Sequence, residues 1–482
     1  MAGILGHLLS LRRGWARRRG KLALAFLLLG LPAGAGLAWF TPMGDVSDEP
    51  AHIARADGLL YGQIVGFKGA SLPQPGPGAG VDVDASMLAV SSMELFPTLK
   101  GTPLPPGIRR QAEAIRWAGD KVYFPTQMVE YFPAFYLPAA AGLWLGRAAG
   151  FSPLQSAFLA RLFMLASYLA MGAAALRLAR AGQPILFAVL LLPVSLMLGA
   201  SFSQDGQLIA ATALAAALLT RAGPKPGPAW GAALGLLALM VCSKPSYAPL
   251  LGLCLLPLAR PGFLKRLSLT AAVLLAPLAW MRLMTSCCYT NWPTRPYHPG
   301  PLWPGPGGVT FNAVSAAGNL AVLRAHPAQA FLLPARLLVD NGGELWWRMI
   351  GALGWNSVNL PSWEIWGWSL ALGAAVLACM AQPGPGPRWR ESGFAVLLIA
   401  ASYCGVGLAL YLSYTQVGRA GISGVQGRYF LLFWLVLPFL LPRKRGWKRA
   451  EYLALMPALA MAAADAWALP AFTWHLYHMA GP

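Results

Sequence analysis

Eight residues, Asp48-Glu49-Pro50-Ala51-His52-Ile53-Ala54-Arg55, hold four ionisable side chains in a chain otherwise poor in charge. Pro50 suits the first turn of a helix, where its missing N–H has no partner to lose. Asp48 or Glu49 is then expected to cap that helix and sit at its positive end. Asp48 and His52 are four apart and His52 and Arg55 three, so a helix puts them on one face. Such a face could take a proton from a hydroxyl or hold an anion. The plainer alternative is a well-capped interfacial helix with a solvated polar face.

Four further stretches pair polar chemistry with the ends of apolar runs: Ser203-Gln204-Asp205, Lys244-Pro245-Ser246-Tyr247, Trp355-Asn356, and Gln426-Gly427-Arg428-Tyr429. An ionisable residue at a membrane helix end is costly and tends to serve a function. Helix capping is the simpler role for Asp205.

The elements that position these residues follow from composition. The chain has 482 residues, 57% hydrophobic and 11% charged, against roughly 25% charged in a soluble protein. Its apolar runs reach about twenty residues, a bilayer span. The expected fold is an all-α integral membrane protein in one polytopic domain, residues 1–482. Lys and Arg fix the direction of each span. A basic N-terminus, 1–20, is placed in the cytoplasm. The first run, 21–40, is longer than a signal-peptide core, so it reads as an uncleaved helix.

Eleven spans are predicted: 21–40, 154–178, 184–200, 204–220, 229–242, 247–258, 267–283, 363–381, 394–414, 429–441 and 453–471. This arrangement puts the carboxyl end outside and makes every inner turn basic. Two large segments, 41–153 and 284–362, then lie outside. The first carries an apolar piece, 131–145, interrupted by Pro133 and Pro138, read as interfacial or re-entrant. The second carries a helical stretch, 327–350. The net charge of +20 serves orientation and attraction to anionic lipid. No nucleic-acid motif accompanies it, and neither a phosphate-cradling Gly-Lys-Ser/Thr loop nor Gly-x-Ser-x-Gly is present. Four of the six cysteines lie in or beside apolar runs and read as core residues. Cys287-Cys288 is placed in a loop, with a structural role simpler than a redox one.

With this orientation the polar stretches converge on the outer face, around one expected pocket. Group transfer from a lipid-linked donor fits them. A polyprenyl phosphate leaving group gains negative charge, which Lys244 and Arg428, with Arg55 nearby, could stabilise. Asp48 or Glu49 could take the proton of the attacking hydroxyl. His52, Asp205, Tyr247, Asn356, Gln426 and Tyr429 could bind substrate, and Trp355 could stack on a sugar.

The chain resembles a bacterial membrane-protein family, domain of unknown function 2142. The resemblance rests on Asp48-Glu49-Pro50-Ala51-His52, Ser203-Gln204-Asp205, Lys244-Pro245-Ser246-Tyr247, Gly351-Ala352-Leu353-Gly354-Trp355 and Gly424-Val425-Gln426-Gly427-Arg428-Tyr429-Phe430. That family is similar in layout to the GT-C superfamily of polyprenyl-phosphate-sugar glycosyltransferases. The resemblance implies an inverting transferase with Asp48 as base, Glu49 beside it, and Lys244 and Arg428 on the lipid phosphate. It implies a polyprenyl-phosphate-linked sugar donor, a cell-envelope glycan or lipid acceptor, and a bacterial inner-membrane location with a periplasmic site. No cofactor is required; a divalent metal on Asp48, Glu49, Asp205 and His52 stays open. The competing class is a transporter or flippase of lipid-linked saccharide. It calls for ionisable groups near mid-membrane, where Asp465 is the acidic exception.

Overall fold

In a computed structural model the described residues are 2–69, 79–223, 225–258, 262–288, 314–443 and 453–479, with side chains from Gly20 onward. Helix α1 (Ala2–Phe40) carries the first apolar run. At the acidic turn the chain enters α2 (Glu49–Leu60). Beyond it the mostly helical chain also carries a small sheet that the sequence reading did not include. Strands β1 (Phe67–Lys68) and β2 (Ala79–Asp84) come first, then α3 (Ala85–Thr98), α4 (Ile108–Ala114) and β3 (Lys121–Pro125). The strands form an antiparallel sheet in the order β1-β2-β3. Ala79, Val81 and Val83 are buried and alternate with more polar positions, the period of a strand. Most of the Pro/Gly-rich stretch 72–80 lies outside the described residues.

A short helix, α5 (Leu137–Ala148), occupies the apolar piece of the first segment. Its 12 residues rise about 18 Å, too short to cross a bilayer. It packs on α6 (Pro153–Leu178), which opens with a capping box from Ser152 and Gln155. The predicted span 184–200 is instead two buried helices, α7 (Gln183–Leu191) and α8 (Pro193–Gly199). Pro193 breaks it: proline has no N–H and pushes the residue before it out of the helical region. Then follow α9 (Gln204–Leu219), α10 (Pro228–Ser243) and a 3-10 helix (Pro245–Leu255) where an α-helical span was predicted.

The second half holds α11 (Phe263–Cys287), α12 (Ala316–Ala325) and α13 (Gln329–Gly351). A two-stranded hairpin, β4 (Ala352–Leu353) and β5 (Val358–Asn359), follows. After it come α14 (Ser362–Met380) and α15 (Trp389–Ser413). The predicted span 429–441 is irregular: a 3-10 turn (Gly427–Phe430), α16 (Leu431–Val436) and a second 3-10 turn (Leu437–Phe439). Helix α17 (Met456–His478) runs past the predicted end.

Five described helices are long and apolar enough to cross a membrane: Gly20–Phe40, α6, α11, α14 and α15. Large apolar residues face outward on them, such as Leu275 at 65% and Leu397 at 66% exposure. An apolar exterior around internally bonded helices is what a bilayer requires. The chain is a mostly helical, multi-pass membrane protein.

Candidate functional site

The acidic turn is anchored by one of its two carboxylates. Glu49 is fully buried and holds Arg161 of α6 through both carboxylate oxygens, at 2.9 and 2.5 Å. Arg161 also donates to the carbonyls of Ala38, Thr41 and Pro42. Glu49 accepts from the backbone N–H of Gly44 and Phe202 as well. This network joins the end of α1 to α2, α6 and the turn before α9. Glu49 therefore has no free lone pair to offer a substrate, which corrects its candidacy as a catalytic carboxylate.

Asp48 is turned the other way. Its backbone sits in the left-handed region, φ 63, and its side chain makes no capping bond, contrary to the expected cap. A non-glycine residue held there costs roughly 1–3 kcal/mol. The strain re-aims the carboxylate toward Arg428, whose Nη2 donates to Oδ2 at 2.9 Å. Arg428 also pairs through Nε with Asp205 Oδ2 at 3.2 Å, and Lys244 Nζ reaches Asp205 Oδ1 at 2.6 Å. Asp48, Arg428, Asp205 and Lys244 thus form one chain of alternating charge. Asp205 is the enclosed link at 8% side-chain exposure, whereas Asp48 is 34% exposed.

Local sequence explains how these residues meet. Ser203 caps α9 and points Asp205 off its first turn. A Cβ at Gly206 would run into the backbone of Leu198 and Gly199, so glycine lets α9 close on α8. Gly427 lies directly on the backbone of α13 at Leu345 and Met349, which sets the turn that presents Arg428. Tyr247 Oη donates to the Tyr429 carbonyl at 2.8 Å, tying the Lys244 segment to the same turn. The Tyr429 ring faces Lys244 at 4.7 Å and Arg428 at 5.6 Å, within cation–π range. The Gln426 side-chain oxygen is buried with no hydrogen-bond partner among the described residues.

Two other expected members lie elsewhere. Arg55 is buried and donates to the carbonyls of Gln63, Ile64 and Tyr131. It braces the loop after α2 and is not a phosphate ligand beside Lys244. His52 is buried, with Nδ1 2.7 Å from Tyr136 Oη. Burial pushes its ring down to about 4, so it is neutral near pH 7. The shared face of Asp48, His52 and Arg55 is consequently split among three partners. Asp48, Glu49, Asp205 and His52 do not converge as metal ligands; among the described residues no three His, Cys, Asp or Glu side chains do.

A cavity of about 490 Å³ adjoins the cluster. Lys244, Tyr247 and Tyr429 line it, as does Glu130, which the sequence reading missed. Trp280 and Met284 of α11 and Val406 and Leu410 of α15 supply apolar lining. A second cavity, about 380 Å³, is lined by Glu344, Trp347, Arg348, Asn356 and Asn359. Asn356 has φ 59 in the hairpin that docks on the acidic turn. Ser47 Oγ donates to the Gly354 carbonyl at 3.0 Å and Trp355 Nε1 to the Gly44 carbonyl at 3.0 Å. The Trp355 indole N–H is thereby committed to the backbone. Cys287 ends α11 rather than lying in a loop, and Cys288 Sγ donates to the Gly66 carbonyl.

Membrane helices that gather a buried, charge-alternating cluster beside an amphipathic cavity define a multi-pass membrane protein with a built polar site. The chain belongs to the family described as Predicted membrane protein (DUF2142), whose profile matches residues 31–470. No curated protein and no solved structure matches it.

Proposed function

We propose that the chain is an inverting GT-C-type glycosyltransferase of the bacterial inner membrane. It moves a sugar from a polyprenyl-phosphate donor to a cell-envelope glycan or lipid at the periplasmic face. In this reading the helical segments make eleven crossings, five of them by the long helices and the rest by shorter or broken ones. The amino end lies in the cytoplasm and the carboxyl end in the periplasm.

The observation that carries the reading is a cavity lined by Lys244 together with apolar side chains of α11 and α15. That lining suits a phosphate on an isoprenoid tail. The cluster is neutral in sum, two carboxylates against two cations. An arriving phosphate must therefore displace a carboxylate from a cation. Asp48 is the weaker holder: it is more exposed and has one cationic partner, whereas Asp205 has two. Displacing Asp48 from Arg428 leaves a free carboxylate next to the donor. The acceptor hydroxyl oxygen then bonds to the anomeric carbon, and its proton passes to Asp48. The bond from that carbon to the phosphate oxygen breaks, and its electron pair stays on the polyprenyl phosphate, held by Lys244 and Arg428. The second cavity, with an indole and two amides, suits a sugar of the acceptor.

The test uses full-length protein in lipid nanodiscs with polyprenyl-phosphate sugars and envelope acceptors. Asp48→Asn is expected to lose about 10²–10⁴-fold of the transfer rate, the usual contribution of a positioned base. A folded variant with undiminished transfer overturns the assignment.

One observation favours the transporter reading. Asp465 of α17 is buried on Trp368 Nε1 at 2.7 Å, and Glu364 is buried at the start of α14. Carboxylates there suit proton coupling. Reconstituted protein that moves labelled lipid-linked sugar between leaflets without transferring it selects that reading.

A further inference from the structure

The 3-10 turn Gln127–Glu130 carries a carboxyl into the wall of the large cavity. Among the described residues Glu130 joins no ion pair, although Lys244 lines the same space. Its main-chain carbonyl accepts from Trp280 Nε1 at 2.9 Å, so the turn is fixed against α11. A carboxylate placed near an incoming phosphate meets like charge and has no proton to donate. A neutral carboxyl offers an O–H donor instead.

We propose that Glu130 is a ligand-binding residue of this cavity, which as a neutral carboxyl donates a hydrogen bond to a phosphate oxygen of a polyprenyl phosphodiester. The proposal rests on the cavity being the donor site. Burial alone pushes the Glu130 carboxyl up to about 7, so it is neutral on the acid side of that value. A bound phosphate would hold the proton more firmly still. Binding therefore weakens as pH rises through 7.

Other groups facing Glu130 either keep their charge through this window or are separable from it. Tyr131 is raised well above 10 by burial, and Cys288 is pushed up to about 11. Arg55 is lowered to about 10 by burial and stays charged, and His52, at about 4, stays neutral. The phenols of Tyr247 and Tyr429 and the thiol of Cys242 ordinarily ionise above pH 8. Asp205 stays paired with Arg428 and Lys244, and the displacement of Asp48 by the phosphodiester is common to the unaltered protein and Glu130→Gln. Burial lowers Lys244, so its loss of charge would weaken binding in the same direction. Glu130→Gln removes the first effect and keeps the second.

The probe is a polyprenyl methyl phosphate, a phosphodiester whose single charge does not change between pH 5.5 and 8.5, bound to full-length protein in nanodiscs. Affinity of the unaltered protein is expected to fall about tenfold from pH 6 to pH 8, as one proton with a value near 7 requires. Glu130→Gln should bind at pH 6 within about twofold of the unaltered protein, and any fall by pH 8, the part due to Lys244, should be about tenfold smaller than the unaltered protein's. A neutral polyprenol, measured on the unaltered protein, should show no slope. Three results overturn the role of Glu130: a flat or rising profile, a polyprenol slope equal to the phosphodiester's, or a variant that keeps the full slope. Protein that binds no polyprenyl phosphodiester at any pH overturns the donor-site reading as well.

Discussion

Glu49 and Asp48 are neighbours in one turn, yet they belong to different systems. Glu49 lies on the protein side, sealed between Arg161 and backbone N–H groups. Asp48 lies on the open side, strained at φ 63 and held by Arg428 alone. A buried ion pair with every lone pair used is hard to disturb and poor at chemistry. A partly exposed pair can exchange partners when an anion arrives. The difference indicates that the two members of an acidic pair need not act alike. One carboxylate builds the turn, and its neighbour stays partly exposed in a pair with Arg428.

The sharpest way to break that comparison is to neutralise each carboxylate in turn. On the proposed function, Asp48→Asn should remove most transfer while shifting stability by only about 1 kcal/mol, because Asp48 is partly exposed and Arg428 keeps Asp205. Glu49→Gln should leave Arg161 buried without a counter-charge and lower stability by about 3–5 kcal/mol. Denaturant or thermal unfolding in micelles checks both; equal effects would erase the distinction.

A smaller effect comes from His52, behind the turn. Its folded value, about 4, lies below the unfolded value near 6.5. The unfolded chain thus takes up the proton first, so stability is complete above pH 6.5 and declines as pH falls toward 4. Asp45 and Asp57, each raised by burial to about 7, act oppositely and lose stability as pH rises toward 7. The stability gap between the unaltered protein and His52→Gln should therefore shrink by about 2 kcal/mol from pH 7 to pH 5. An unchanged gap would show that the ring is solvated. The smallest effect is expected at the second cavity. On the proposed function, Trp347→Ala should raise the KM for a glycan acceptor by about tenfold, the loss of one stacked ring, and leave donor binding unchanged.

Much of this was legible in the sequence. Spans with long apolar runs, such as residues 154–178 and 394–414, coincide with helices within a few residues because lipid leaves the backbone no other partner. Lys244, Asp205 and Arg428 stood out as charges at the ends of apolar runs. What stayed hidden depended on tertiary partners. Nothing near Glu49 in sequence announces Arg161, which is 112 residues away. The β2 strand was readable from Ala79, Val81 and Val83, but the surrounding apolar helices masked its short period. Glu130 drew no notice because a lone acid in a long segment looks solvated until a cavity forms around it.

The apolar walls of the large cavity come from α11 and α15, two long helices that present many side chains outward. On the proposed function this places the donor's path within the plane of the bilayer. The quantity that sets the rate is then the donor's mole fraction among surrounding lipids, with bulk molarity of little account. Diluting the membrane with inert phospholipid should slow turnover, while adding buffer around the same vesicles should leave it unchanged.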